Sequence, residues 1–234
     1  IRTQQDVRWI PMEAWDACDE AFEEAELEGL ACFAGLDMSS TRDISAFVAV
    51  FRKDGKVYVV PRFWVPKDNA IKRERSDKIP YLTWANQGLI KMAAGNVIDY
   101  DVVRADINEF GKRFNIKEIG IDRWNTAQLT TQLAGDGFEV VPFGQGFASM
   151  SAPSKELERL IIEGGLRHGG HPVLRSMASV IAVKLDEVEN IKPSKKSSTE
   201  RIDGVVALIM AIGRMIVSPE EQASVYETRG VLVV

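Results

Sequence analysis

The sequence is poor in cysteine and contains no long apolar run, and these two gaps exclude several classes of protein. Two cysteines among 234 residues cannot form a disulfide framework and lack the spacing of a zinc site, which favours a reducing compartment. The longest apolar run, Val205 to Ile212, is far shorter than the roughly 20 residues that span a bilayer. The P-loop motif G-x-x-x-x-G-K-S/T is absent, so we expect no nucleotide site in this sequence.

What is present is an ordinary globular composition, with 45% hydrophobic and 27% charged residues. The length fits one large domain, or one domain with an appendage. Because the chain starts at Ile1 with no signal-peptide pattern, we expect a piece of a longer protein. We predict a linker helix within residues 1–30 that enters from an upstream segment, a main domain over 31–218 and a C-terminal tail over 219–234.

Charge is distributed unevenly. The formal net charge is −5, but eight acidic residues and no basic one lie between Glu13 and Glu28, so the rest of the chain is net +3. Basic residues cluster in two polar stretches, which include Lys72, Arg73, Arg75, Lys195 and Lys196. Such clusters can follow the phosphates of a nucleic acid, and they are also typical of solvated loops.

The apolar periodicity predicts a mixed α/β fold. Three strands are predicted first, and Asp54-Gly55 between the second and third is a hairpin signal. The predicted strands are 31–36, 45–52, 57–64, 117–121 and 138–141, with a β-ribbon near 181–191. The predicted helices are 11–28, 80–92, 100–114, 126–134, 151–163, 172–181 and one from about Ser198 to Val217, while 66–78 shows no regular pattern. This order predicts a ribonuclease H-like fold, with a mixed central sheet of three antiparallel strands and then two parallel ones, and helices on both faces.

Three aspartates occupy unusual positions in this scheme. Asp37 and Asp122 each end an apolar strand, and ligands of α/β sheets collect at the carboxyl ends of strands. Asp203 is predicted to lie one turn inside an otherwise apolar helix, where a carboxylate is costly unless it is paired or bound to a metal. Each aspartate alone is compatible with an ordinary turn or strand-end role.

If the three carboxylates converge, they repel one another unless a divalent cation neutralises them. Ligand sets made of oxygen alone select hard ions, so we predict Mg²⁺ or Mn²⁺. Two such ions bridged by a carboxylate can hydrolyse a phosphodiester. The pattern therefore predicts a nuclease site.

Five segments resemble the nuclease domain of the large terminase subunit of tailed bacteriophages, in order and spacing, from about Ala31 to Val217. They are Gly35-Leu36-Asp37-Met38-Ser39-Ser40-Thr41, Gly120-Ile121-Asp122-Arg123-Trp124-Asn125, Val141-Pro142-Phe143-Gly144-Gln145-Gly146-Phe147, Leu166-Arg167-His168-Gly169-Gly170 and Arg201-Ile202-Asp203-Gly204. The resemblance implies a metal-dependent endonuclease that cuts concatemeric double-stranded DNA, with Asp37, Asp122 and Asp203 as catalytic and metal-binding acids.

The resemblance also implies partners and a setting. The full-length protein would carry an upstream ATPase domain, joined to this chain by the linker helix, and would work with a small terminase subunit and a portal. The expected location is the cytoplasm of the infected host cell, with no membrane partner.

Several other residues are weaker candidates. Asp186 follows an apolar run and is a further candidate metal ligand, while His168 and Gln145 are candidate DNA contacts beside Lys72, Arg73, Arg75, Lys195 and Lys196. An ordinary turn or hydrogen-bonding role also stays open for Asp186, His168 and Gln145. Another ribonuclease H-like nuclease, such as a junction resolvase or transposase core, stays open, as do an actin-like or sugar-kinase ATPase and a non-catalytic DNA or portal docking module.

Overall fold

Strands and helices alternate along the chain. The computed structural model describes residues 7–38, 44–77, 79–122, 126–198 and 201–218, but not the side chains of residues 7, 8, 73 and 75–77. The strands are β1 Val7–Arg8, β2 Ala31–Asp37, β3 Ser45–Lys53, β4 Lys56–Pro66, β5 Lys91–Ala93, β6 Asn115–Asp122, β7 Val140–Phe143, β8 Leu166–Arg167, β9 Ala182–Leu185 and β10 Ile191–Pro193. The helices are α1 Met12–Asp16, a 3₁₀ turn Glu24–Leu27, α2 Lys67–Asp77, α3 Tyr81–Asn86, α4 Tyr100–Arg113, α5 Ala127–Gly135, α6 Phe147–Ile162, α7 Pro172–Val180 and α8 Asp203–Val217.

A mixed sheet forms the centre of the described part of the chain. Its path is β5-β4-β3-β2-β6-β7, and β8 pairs with β4 beside that path. Strands β2, β3 and β4 are antiparallel neighbours, whereas β6 is parallel to β2 and β7 is parallel to β6. The predicted sheet is confirmed, and the structure adds β5 and β8, both parallel to β4. Strands β1, β9 and β10 form a separate small antiparallel sheet.

Hydrophobic layers cover both faces of the sheet. Alternate residues of β3 point into opposite layers: Val48 packs with α6, α7 and α8, while Phe47 packs with α4 and α5. Helix α8 is apolar almost all round and nearly every residue of it is buried, as expected for a helix held between a sheet and other helices. The β3–β4 hairpin turns at Asp54 and Gly55, which both have positive φ angles.

The prediction of one helix over Pro11 to Glu28 is wrong. The structure has only the short α1 and the 3₁₀ turn there, joined by irregular chain. Trp15 and Cys18 are fully buried in one hydrophobic layer and Leu27 in the other. Their burial fixes this segment against the main domain, because apolar contacts outweigh the helical pattern of the acidic residues between them.

Two neighbouring predictions also need correction. The stretch over 66–78, expected to lack structure, contains α2, whose Lys, Arg and Glu residues are good helix formers and whose Ala70 is buried. The helix expected over 80–92 ends at Asn86, and Lys91–Ala93 becomes β5 because the edge of β4 offers it a parallel partner. The remaining helices and strands were predicted to within a few residues, except that α6 starts four residues earlier than expected.

The start of the last helix differs in a way that affects the site. Helix α8 begins at Asp203, not near Ser198, and Ser198 lies in a turn where its hydroxyl donates to the carbonyl oxygen of Ser194. Asp203 is therefore the first residue of the helix. A carboxylate in that position is favoured by the positive end of the helix dipole.

No helix of the described residues has both the length and the apolar content that crossing a membrane requires.

Candidate metal and nuclease site

Asp37 and Asp122 end two parallel strands that lie side by side. Leu36 of β2 is in register with Ile121 of β6, so the residue after each comes to the same edge of the sheet. Asp37 is 1% exposed, and Asp122 is half-buried. The side-chain hydroxyl of Thr126 donates a hydrogen bond to the main-chain oxygen of Asp122 and ties the start of α5 to this strand end.

Helix α8 carries Asp203 to the same place. The helix crosses β2 closely because Gly35 has no side chain: a β carbon at Gly35 would lie 2.0 Å from the carbonyl oxygen of Ala207. Asp203, one turn before Ala207, is 3% exposed. Two buried carboxylates therefore face each other, one from the end of a strand and one from the start of a helix.

A single ammonium group lies between these two carboxylates. Lys195 Nζ is 2.8 Å from Asp37 Oδ2 and 2.7 Å from Asp203 Oδ1. Lys195 was predicted as a DNA contact from its place in a basic cluster, and this pairing was not foreseen. Its side chain is 48% exposed overall, so its stem reaches in from the surface.

The surroundings raise the pKa of Asp37 to about 7. Burial is the main cause, and the like charge of Asp203 adds to it, while Lys195 opposes both and Asp122 adds a smaller repulsion. The two carboxylates in turn raise the pKa of Lys195 well above its usual range, against the effect of burial. The charges of this site are strongly interdependent, and it needs a cation to hold both carboxylates ionised.

Gln145 lies where the sequence placed it, beside the acids. It follows β7, and its side-chain Nε2 is 3.5 Å from Asp37 Oδ1, at the outer limit of a hydrogen bond. Gln145 therefore lies next to the Asp37 carboxylate, while its predicted contact with DNA stays a prediction.

The structure does not bring Asp186 to this site. Its carboxylate stabilises the turn between β9 and β10, where Oδ1 accepts from the backbone nitrogens of Val188 and Asn190 at 3.0 and 2.8 Å and Oδ2 accepts from Asn190 Nδ2 at 2.9 Å. The turn is at one end of the ribbon, while Lys195 follows the other end. The predicted metal contact is therefore replaced by a turn-stabilising role.

The predicted DNA contact of His168 is also corrected. The residue is 2% exposed, and its ring stacks on Trp15 with centroids 4.5 Å apart. Its Nε2 donates to the Trp15 carbonyl oxygen at 2.8 Å, and its Nδ1 accepts from the Gly170 nitrogen at 3.2 Å. Burial lowers its pKa, which keeps the ring neutral and unsuited to a phosphate.

The basic candidates lie at the same edge of the sheet as the acids. Strand β4 runs parallel to β2 through the intervening β3, and α2 begins directly after the end of β4. Lys72 of α2 is exposed, as is Lys196 beside Lys195. The side chains of Arg73 and Arg75 lie outside those that the structure describes.

Two cavities lie near the sheet. One of about 430 Å³ is lined by Asp122 together with Thr126, Thr130 and Pro142. A larger groove of about 810 Å³ lies between β4, β5 and α4, and none of the three aspartates lines it.

The donor set fits a hard divalent ion. Within the described ranges no three acidic, histidine or cysteine side chains form a complete metal cluster, and Lys195 supplies the positive charge between Asp37 and Asp203. The carboxylate oxygens of Asp37 and Asp203 are of the kind that Mg²⁺ and Mn²⁺ prefer as ligands.

The sequence of this chain is similar to those of known proteins. Residues 1–219 match the family model described as the terminase large subunit, endonuclease domain. The terminase large subunit of Enterobacteria phage HK97 is 35% identical over 208 residues, which cover 88% of this chain and 41% of that protein. Protein YmfN of Escherichia coli (strain K12) is 28% identical over 220 residues, which cover 89% of this chain and 48% of that protein.

Solved structures give the same result. The crystal structure of the HK97 large terminase superposes with a TM-score of 0.84 at 34% identity, over 90% of this chain and 44% of that one. The large terminase nuclease of thermophilic phage G20c with bound magnesium superposes with a TM-score of 0.54 at 11% identity, over 80% of this chain and 82% of that one, and so shares the fold. The chain thus has the ribonuclease H-like fold of terminase nuclease domains.

This chain spans less than half the length of the two curated relatives named above. The match to the family model over nearly the whole chain and the identity to the HK97 protein nevertheless decide its family. The chain belongs to the family of terminase large-subunit endonuclease domains.

Proposed function

We propose that this chain is the metal-dependent endonuclease of a viral DNA-packaging terminase, which cuts concatemeric double-stranded DNA by two-metal phosphodiester hydrolysis. The observation that carries the proposal is the meeting of Asp37 and Asp203 around one positive charge, at the sheet edge where Asp122 also ends its strand. Buried acids in such an arrangement are costly unless they serve a cation.

Asp37, Asp122 and Asp203 would hold the ions, and the charges of Asp203 and Asp122 both act on Asp37. When bound, the divalent ions would activate a water and stabilise the leaving oxygen of the phosphodiester. Gln145 would hold the Asp37 carboxylate in place, and Thr126 would fix the strand end that carries Asp122. The exposed Lys72 and Lys196, with Arg73 and Arg75, would contact DNA phosphates and position the duplex without reading its sequence.

Support for magnesium as one of the ions comes from the G20c nuclease, whose structures contain bound magnesium and, separately, bound cobalt. In the full-length protein we infer an ATPase domain upstream of this chain, and a small terminase subunit and a portal as partners. The expected setting is the cytoplasm of the infected host. The length of the relatives leaves room for such a domain.

The test is digestion of supercoiled plasmid by the 234-residue chain in Mn²⁺, Mg²⁺, Ca²⁺ or EDTA. The variants are Asp122→Ala and Asp203→Asn, with Asp54→Asn as a matched control. Asp54 lies in the hairpin turn at the opposite end of the sheet, and Asn tolerates its positive φ angle.

We expect nicking and linearisation that need Mn²⁺ or Mg²⁺, are lost in the two site variants and persist in the control. Cleavage that survives in Asp203→Asn would contradict the proposed site. Binding of plasmid without cleavage in any metal, by a chain that is folded, would favour the non-catalytic docking module instead.

A further inference from the structure

Lys195 occupies the position that a cation must fill in this site. Its Nζ contacts both Asp37 and Asp203 at hydrogen-bond distance, and these are the two most buried acids of the described site. An ammonium and a divalent ion are both attracted by the same pair of carboxylates. They cannot lie between the same two oxygens at once.

The backbone around Lys195 is firmly held, so the side chain is the part that can leave. Two hydrogen bonds join this turn to Ala182 of β9. The Ala182 nitrogen donates to Ser198 Oγ at 3.1 Å, and the Ser194 nitrogen donates to the Ala182 carbonyl oxygen at 2.9 Å. Ser194 Oγ and Ser197 Oγ lie 2.9 Å apart and close the same turn. A long side chain on a fixed turn, with about half of its surface exposed, can swing into solvent without unfolding the turn.

We propose that Lys195 competes for the metal site: its ammonium neutralises Asp37 and Asp203 in the metal-free protein and must be displaced before a divalent ion can bind to them. The inference rests on the proposed function, because it takes Asp37 and Asp203 as ligands. The competition has two consequences. It stabilises the metal-free fold, and it weakens the affinity for metal.

The experiment measures Mn²⁺ binding by isothermal titration calorimetry, without DNA, for the 234-residue chain and its Lys195→Met variant. Removal of the ammonium is expected to tighten Mn²⁺ binding by about tenfold or more. In EDTA, the melting temperature of Lys195→Met should be lower than that of the wild type. Addition of Mn²⁺ should raise the melting temperature of the variant by more than it raises that of the wild type. A merely structural lysine would lower the melting temperature without tightening metal binding.

The matched control is Lys184→Met, which removes the same charge from β9 of the same ribbon, and its Mn²⁺ affinity should equal that of the wild type. Lys195→Arg keeps a cation between the carboxylates and should restore the weak binding. If Lys195→Met does not fold in EDTA, the Mn²⁺ concentration that refolds it gives its affinity for Mn²⁺, because a metal that binds only the folded chain stabilises it according to that affinity.

Unchanged or weaker Mn²⁺ binding in a folded Lys195→Met chain would overturn the inference and leave the nuclease proposal standing. Absence of Mn²⁺ binding to the wild type, together with absence of cleavage, would overturn the proposed function and the inference with it. Tighter binding in Lys195→Met but not in Lys184→Met would establish the competition.

Discussion

Gly35 lies directly beneath Ala207, and no methyl group fits between them. A β carbon on Gly35 would lie 2.0 Å from the Ala207 carbonyl oxygen and 2.8 Å from the Ala211 nitrogen. Both atoms belong to the backbone of α8, which cannot move aside as a flexible side chain can. This contact sets the distance between β2 and α8, and therefore between Asp37 and Asp203, which stand near the ends of those two elements.

The first prediction is that Gly35→Ala destabilises the chain by about 1–3 kcal/mol or more, as overpacked cores do. It should also reduce cleavage more than the loss of stability explains, because α8 is pushed away from β2 and Asp203 from Asp37. Urea unfolding and plasmid nicking measure the two effects. Gly135→Ala at the end of α5, where a β carbon meets nothing within 4 Å, is the control and should be neutral or stabilising. Equal behaviour of the two variants would contradict the packing argument.

The second prediction concerns Asp37→Asn in EDTA. The pKa of Asp37 is raised from 3.8 to about 7, so its carboxyl holds a proton in the folded chain where the unfolded chain has lost it. The contribution of the Asp37 carboxyl to the free energy of unfolding is therefore fully present below pH 4, and it is lost as the pH rises to 7. We expect the melting temperature of Asp37→Asn, relative to wild type, to rise between pH 4.5 and 7 and level off above, while cleavage is abolished. A constant difference across this range would show that Asp37 is not the titrating group.

Much of the site could be predicted because strand ends have a geometric meaning. Asp37 and Asp122 each follow an apolar strand, and parallel pairing of those strands places both acids at one edge. The sequence correctly indicates Asp203 as a carboxylate in an apolar helix, but it predicts that the helix starts near Ser198 and not at Asp203. Helix α8 starts at Asp203, and the Ser198 hydroxyl, which the sequence suggested as a helix cap, instead donates to the carbonyl oxygen of Ser194.

What could not be predicted depends on long-range packing. Lys195 and Asp37 are 158 positions apart, and nothing in a basic cluster indicates that one of its members turns inward. His168 was expected at a surface loop because its neighbours are glycines, yet stacking on Trp15 buries it. The acidic segment before β2 shows a helical pattern, and the burial of Trp15 and Leu27 in separate layers breaks it. In each case a tertiary contact overrides a local signal.

The third prediction concerns acid sensitivity. Burial lowers the pKa of His171 from 6.5 to about 4, and its Nδ1 is buried without a hydrogen-bond partner among the described residues. The unfolded chain therefore takes up a proton between pH 6.5 and 4 that the folded chain refuses, so stability falls as the pH drops through this range. His171→Asn removes the titration and places a good capping residue before α7. The melting temperature of His171→Asn, relative to the wild type, should rise as the pH falls from 7 to 4.5. A difference that does not change with pH would rule out His171 as the cause of the acid sensitivity.

The fourth prediction tests whether the segment before β2 belongs to the fold. Trp15 is fully buried against His168 and α6, and Asp16 forms an ion pair with Arg175 at 2.6 Å. Trp15→Ala should cost about 3–5 kcal/mol, as for other buried aromatic residues. Glu13→Ala in the same short helix is exposed and should change stability by less than about 0.5 kcal/mol. A tolerated Trp15→Ala would instead support the predicted linker, which ends at residue 30.

The fifth prediction concerns how DNA is held. Lys72 and Lys196 are both exposed, and they lie on segments that meet the same edge of the sheet as Asp37. Contacts from lysine to phosphate add affinity but read no bases, so Lys72→Glu and Lys196→Glu should weaken binding to every duplex alike. Each lost contact should also reduce the slope of log affinity against log salt by about 0.9. Fluorescence anisotropy with two unrelated duplexes in Ca²⁺ measures both effects.

The control is Lys112→Glu. Lys112 lies on α4, which packs on the face of the sheet opposite to α8, so this variant should leave binding unchanged. A loss confined to one duplex would mean that these lysines contact base edges, since phosphate contacts are the same for any sequence.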